Sequence, residues 1–204
     1  AEALGYPRTF SIYDQSDAQR LAGYVVRDLG LDAKRFPPRA AHGQISLWKN
    51  ELVTPEQAVA RASNIFERKH ADIYVEYQRR LHGAGAMDFD DLLMNTVMLF
   101  RQHPEVLSYY QRRFQHVLID EYQDTNHAQY ILIRELVGDG SDGVPRAELC
   151  VVGDADQSIY AFRGADIRNI VEFSRDYPNA DTVVLEQNYR STQNILASAN
   201  AVIE

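Results

Sequence analysis

The chain has 204 residues, 45% of them hydrophobic, and carries 21 basic against 29 acidic side chains for a net charge of −8. That length allows one large domain or two small ones, with enough apolar content for a packed core. The acidic balance excludes a protein coated for general nucleic-acid binding, while a local basic track stays open.

No signal peptide is read at the N-terminus, and no apolar run is long enough to span a bilayer. Cys150 is the single cysteine, so no internal disulfide can form, which fits a reducing, cytoplasmic compartment. Its setting, Leu149-Cys150-Val151-Val152, predicts a small buried hydrophobe in a strand.

Residues 1–85 read as mostly helical from their apolar spacing. Ser16-Asp17-Ala18-Gln19 has the form of a capping box, followed by an apolar face at Leu21, Tyr24, Val25 and Leu29. Pro37-Pro38 opens a second helix containing Ile45, Leu47, Trp48 and Leu52. Thr54-Pro55-Glu56-Gln57 starts a third, which the pattern carries to His82. Arg61, Arg68, Lys69, Arg79 and Arg80 lie on its polar side, either as a solvated face or as a surface for nucleic acid.

Asp88 caps the next helix, with Asp90 and Asp91 in the first turn where the helix dipole favours acids. Helix-start chemistry accounts for the three acids without a metal. A short helix follows Pro104, then a strand over 114–119, a helix over about 126–137 and a second strand over 148–153. Strand, helix, strand at this spacing predicts a parallel crossover unit. A short helix over 167–173, a third strand over 182–185 and a final helix capped by Ser191 complete the chain.

Three runs carry chemistry. The first, Leu118 to Asn126, reads Leu-Ile-Asp-Glu-Tyr-Gln-Asp-Thr-Asn, an apolar strand stopping in carboxylates. Parallel sheets bind ligands at the carboxyl ends of strands. Asp120 there can hold Mg²⁺, and Glu121 can orient an attacking water. The second, Val152 to Asp166, reads Val-Gly-Asp-Ala-Asp-Gln-Ser-Ile-Tyr-Ala-Phe-Arg-Gly-Ala-Asp. Gln157 can donate to a terminal phosphate. Tyr160 and Phe162 beside Arg163 suit base stacking with phosphate contact, or else pack into a core. The third, Leu185 to Thr192, reads Leu-Glu-Gln-Asn-Tyr-Arg-Ser-Thr, and offers Tyr189 for stacking and Arg190 for phosphoryl charge.

In order, wording and spacing, these runs resemble consecutive motifs of the UvrD/PcrA/Rep family of superfamily 1 DNA helicases. The resemblance implies an α/β fold: a partial RecA-like parallel-sheet lobe of the P-loop NTPase type, interrupted by an all-helical inserted domain. The inserted domain would span 1–85, the later half of the first lobe 86–177, and the start of the second lobe 178–204. The resemblance implies ATP as substrate and Mg²⁺ as cofactor, with Asp120 as metal ligand, Glu121 as catalytic base and Gln157 as phosphate sensor. It assigns Tyr189 to the adenine, Arg190 to the terminal phosphate, and Tyr160, Phe162 and Arg163 to single-stranded DNA. Phe162 stands where many members carry tryptophan.

The implied activity is ATP-driven 3′→5′ unwinding in repair or replication, on single strands and duplex junctions. Alternatives are a non-catalytic DNA- or protein-binding module, or the helicase part of a RecB/AddA-type helicase-nuclease. No Gly-x-x-x-x-Gly-Lys-Ser/Thr loop occurs, and the only lysines are Lys34, Lys49 and Lys69, so the chain alone is expected to be catalytically incomplete. A strand at 182–185 without its sheet would invite self-association.

Overall fold

The computed structural model describes residues 1–159, 165–171 and 173–203. After a 3-10 turn at Glu2–Leu4, the elements are β1 (Ser11–Tyr13), α1 (Gln15–Asp28), α2 (Pro38–Asn50), α3 (Pro55–Arg61) and α4 (Ile65–Gly83). Then come β2 (Ala86–Asp88), α5 (Phe89–Gln102), α6 (Pro104–Arg113), β3 (His116–Ile119), α7 (His127–Val137) and β4 (Glu148–Val151). Short helices α8 (Arg168–Val171) and α9 (Phe173–Asp176) precede α10 (Gln193–Ile203). The fold is mixed α/β, with two two-stranded parallel sheets, β1–β2 and β3–β4.

Helix starts follow local chemistry. Asp14, rather than Ser16, caps α1, its side chain accepting the Ser16 and Asp17 amides. A carboxylate two positions earlier gains two charge-assisted bonds, which the serine would not match. Thr54 with Gln57, Asp88 with Asp91 and Asn126 with Gln129 form reciprocal capping boxes.

The long third helix is two helices. α3 stops at Arg61, and Asn64 caps α4 by accepting the Phe66 and Glu67 amides. Asparagine offers the backbone this alternative to continuing a helix. Leu52 lies outside α2: its φ is 55°, its amide donates to the Lys49 carbonyl at 2.9 Å, and Val53 donates to Trp48 at 2.8 Å. That pair of bonds closes the helix with a Schellman motif.

The helical region α1–α4 buries Ala22, Val25, Ile45, Ile73, Tyr77 and Leu81 in one core, with Trp48 stacked on Tyr74 at 5.7 Å. Burying each valine, isoleucine or leucine side chain there is worth roughly 1.5–3 kcal/mol. Its exposed charges are largely self-paired: Glu76 meets Arg79 and Arg80, each at 2.7 Å, and Asp72 meets Arg68 and Lys69. Hydrogen bonds from Arg79 and Arg80 hold the Glu76 carboxyl down to about 2. A solvated, mutually neutralised face describes these residues better than a nucleic-acid track.

A second, smaller core lies under β3 and β4. Tyr122, Ile133 and Val137 are buried there, with Val117, Ile119, Leu149 and Val151 packed against them. Alternation sends the other face outward. Leu118 is 74% exposed and Cys150 is exposed. The expectation of a buried cysteine is therefore corrected, because the residue occupies the uncovered face of a two-stranded sheet.

Residues 181–188 carry no strand, and Val183, Val184 and Leu185 are each exposed. No neighbouring strand among the described residues pairs with that apolar run. The self-association expected from an edge strand there has lost its basis. α10 begins after Thr192, whose carbonyl accepts the Ile195 and Leu196 amides.

Candidate functional site

β3 and β4 run parallel in the register His116–Glu148 to Ile119–Val151. The ladder continues past their ends: Val152 N–H donates to Ile119 O at 2.8 Å, and Tyr122 N–H donates to Val152 O at 3.0 Å. Tyr122 is fully buried, its ring edge-on to Phe173 at 5.6 Å. Ile119 and Tyr122 are thus both anchored, and the chain must turn sharply between them.

Glu121 takes that turn with φ 51° and ψ 45°, the left-handed region. A non-glycine residue there costs roughly 1–2 kcal/mol, and such strain persists only where its surroundings fix it. The consequence is that Glu121 stands out from the strand tip, exposed, while Tyr122 and Gln123 on its far side are buried. Asp120 is also exposed, and its Oδ1 accepts the Glu121 N–H at 2.9 Å.

Beyond the tip, Thr125 Oγ1 donates to Tyr122 O at 2.7 Å, and Asn169 Nδ2 donates to Thr125 O at 2.9 Å. The turn is therefore braced from α8. Asp120 and Glu121 open onto a cleft of about 400 Å³ shared with Asp124, Thr125, Gln129 and Leu132. Asp124 Oδ1 is buried with no hydrogen-bond partner among the described residues.

The second tip lies alongside. Asp154 Oδ1 accepts the Asp156 N–H at 3.0 Å, and its Oδ2 accepts Gln157 Nε2 at 2.6 Å. Gln123 spans the two tips: its Nε2 donates to Glu121 Oε2 at 2.7 Å, and its Oε1 accepts Asp154 N–H at 3.1 Å. Asp120, Glu121 and Gln157 are thereby gathered at adjacent strand ends.

The other expected site residues are not gathered with them. Tyr189 is 93% exposed and Arg190 is exposed. Asn188 Oδ1 accepts the Arg190 and Ser191 amides, a local turn with no hydrogen bond or ion pair to the cleft among the described residues. Tyr160, Phe162 and Arg163 lie outside the described residues.

A buried cluster that spacing did not suggest lies at the start of α5. Lys49 is fully buried and meets Asp88 Oδ2 at 2.7 Å and Asp91 Oδ1 at 2.8 Å. Tyr77 OH donates to Asp88 Oδ2 at 2.8 Å. Burial alone would raise the Asp88 carboxyl, but Lys49 and the Asp91 amide outweigh it and hold it below the ordinary range. Burial, together with the Asp88 charge, pushes Asp91 up. These acids cap a helix and bind a lysine, and so belong to the scaffold.

The fold and site define a mixed α/β protein with an acidic cleft at the carboxyl ends of parallel strands. Residues 1–178 match the UvrD/REP helicase N-terminal domain, and the chain belongs to that family. It is 61% identical over 203 residues to the ATP-dependent DNA helicase UvrD1 of Mycobacterium tuberculosis, covering 98% of this chain and 26% of that protein. It is 47% identical over 203 residues to the ATP-dependent DNA helicase PcrA of Bacillus subtilis, covering 100% of this chain and 27% of that protein. The chain therefore spans about a quarter of the length of these relatives. Among the described residues, no helix is long and apolar enough to cross a membrane.

Proposed function

We propose that this chain is the part of an ATP-dependent 3′→5′ DNA helicase that carries the water-activating side of its ATP site. The parent would be a cytoplasmic translocase of repair or replication, acting on single-stranded DNA and duplex junctions. Residues 1–85 would form its inserted domain, 86–177 the later half of a first RecA-like lobe, and 178–204 the start of a second. The observation that carries this reading is the pair of acidic tips on β3 and β4, joined through Gln123.

In that reading Glu121 is the general base. Its left-handed backbone projects the carboxylate clear of the buried Tyr122, where it can accept a proton from water. Asp120 would hold Mg²⁺. Mg²⁺ uses one or two carboxylates and takes its remaining ligands from water and phosphate. An exposed Asp120, lining the same cleft as Asp124, whose Oδ1 has no hydrogen-bond partner among the described residues, fits that demand. When bound, the ion would neutralise phosphate charge.

Gln157, held by Asp154, would donate to the terminal phosphate. Tyr189 would stack on the adenine and Arg190 would reach the terminal phosphate, both arriving on closure of the second lobe. Tyr160, Phe162 and Arg163 would line the single-strand path.

The test is Glu121→Gln in the full-length parent. It keeps the side chain's shape and removes the base, so ATP turnover should fall at least a hundredfold while nucleotide binding stays within about threefold. Equal loss of binding and rate would give Glu121 a structural role instead.

A further inference from the structure

We infer that Gln123 is the positioning residue that sets the Glu121 carboxylate and ties it to the Gln157 side of the site. This rests on the reading of Glu121 as general base. Three observations carry it.

First, both ends of the Gln123 amide are used, and differently. Its NH₂ donates to Glu121 Oε2 at 2.7 Å, and its carbonyl accepts Asp154 N–H at 3.1 Å. A primary amide supplies a donor at one end and an acceptor at the other with no charge. A glutamate here could not donate when ionised and would face Glu121 with a like charge. A methionine would fill the space and make neither bond.

Second, Gln123 is 1% exposed, whereas the Glu121 it holds is exposed. A buried side chain cannot sample other rotamers without breaking its packing. An exposed glutamate left to itself would sample several. The buried residue therefore fixes the exposed one.

Third, the facing backbone has no side chain where the amide passes. A Cβ placed on Gly153 would lie 2.6 Å from Gln123 Oε1 and 2.7 Å from Ile170 Cδ1. Nothing larger than glycine fits without displacing the amide or Ile170.

The links form an unbroken series: Glu121 to Gln123, Gln123 to the Asp154 amide, and Asp154 Oδ2 to Gln157 Nε2 at 2.6 Å. The base and the proposed phosphate sensor are its two ends. A shift of Gln157 on meeting phosphate would move the Asp154 segment and, through Gln123, the carboxylate.

The experiment uses the full-length parent, measuring DNA-stimulated kcat, KM for ATP and thermal melting for Gln123→Met, Gln123→Glu and Gly153→Ala, with Glu121→Gln as control. Misplacing a catalytic group by about 1 Å costs on the order of a hundredfold. Gln123→Met should lower kcat by about ten- to a hundredfold, with KM within about threefold and melting within a few degrees. Gln123→Glu should be the slower of the two. Gly153→Ala should lower kcat in the same sense by crowding an intact amide, so a folding failure of one variant leaves the other to answer.

If Glu121→Gln abolishes turnover while Gln123→Met and Gly153→Ala keep wild-type kcat, the positioning role is overturned. If the losses fall on KM or melting instead of kcat, Gln123 is structural and the inference also fails. If Glu121→Gln retains turnover, the reading of the base itself is wrong, a result distinct from either.

Discussion

Asn126, the cap of α7, donates from Nδ2 to Oδ1 of Asn50, the last residue of α2, at 2.9 Å. Both are buried, and Asn50 Nδ2 in turn donates to Asp90 Oδ1 at 3.3 Å. The end of a helix in the first part of the chain is thereby pinned to the turn that follows Asp120 and Glu121. Asn50→Ala would leave the buried Asn126 Nδ2 donor without this acceptor, which costs about 1–3 kcal/mol. Denaturant unfolding should show that loss, and an unchanged midpoint would mean that water replaces the bond.

Lys49 neutralises two buried acids, so removing it should be severe. Lys49→Met would leave Asp88 and Asp91 facing each other without a cation, at about 3–5 kcal/mol. The sign with pH follows from the shifts. In the native protein Asp88 is held low, so its contribution is present above the ordinary carboxylate pKa of about 3.9 and is lost as pH falls through its lower folded value. Lys49 is raised, because the two carboxylates outweigh its burial, so its contribution is lost as pH rises beyond about 10.4. In Lys49→Met the acids take up protons more readily when folded, and the gap in Tm to the native protein should narrow on going from pH 7 to pH 4. A gap that widened on acidification would contradict this electrostatic account.

Leu52 holds a left-handed conformation, φ 55°, to close α2. Leu52→Gly should relieve that strain and raise stability by up to about 1 kcal/mol, less whatever packing the leucine contributes. Calorimetric melting of the variant checks it. A fall of several degrees would show that the side chain's contacts outweigh the backbone.

Phe162 is proposed to stack on single-stranded DNA. Stacking is worth roughly 1–3 kcal/mol per base, so Phe162→Ala in the parent should weaken single-strand affinity about tenfold or more, and Phe162→Trp should not. A large drop in Tm with unchanged DNA affinity would mean that the ring belongs to a core.

The 204 residues contain no phosphate-binding Gly-Lys loop. The isolated chain should therefore fold and yet hydrolyse no ATP above a Glu121→Ala control. Measured DNA-stimulated turnover by the isolated chain would sink this.

Caps and strand ends were legible because their chemistry is local. Thr54 and Asp88 need only residues three positions on, and β3 and β4 announce themselves as apolar runs stopped by acids. β1 and β2 escaped because three residues are too few for alternation to register, and their partners lie 75 positions apart. Asn64 broke a helix that apolar spacing alone would have continued. Nothing in the sequence marks Lys49 as buried, because its two acids arrive from another part of the chain. Apolarity predicts burial for Cys150 and the run Val183–Leu185 only where something covers the face, and nothing among the described residues does. At the site, Asp120 and Glu121 stood out by charge. Gln123 did not, since its role depends on Asp154, 31 positions later.

The pairing of β1 with β2 places Ser11 against Ala86 and Tyr13 against Asp88, with α1–α4 strung between them. The polypeptide leaves and returns through the same narrow gate. A module entered and left through such a two-stranded stem can be exchanged as a cassette, provided that the register of six residues survives and that Lys49 and Asn50 keep their partners Asp88, Asp91 and Asn126. Grafts between relatives should therefore be cut at these two strands rather than within any of the helices.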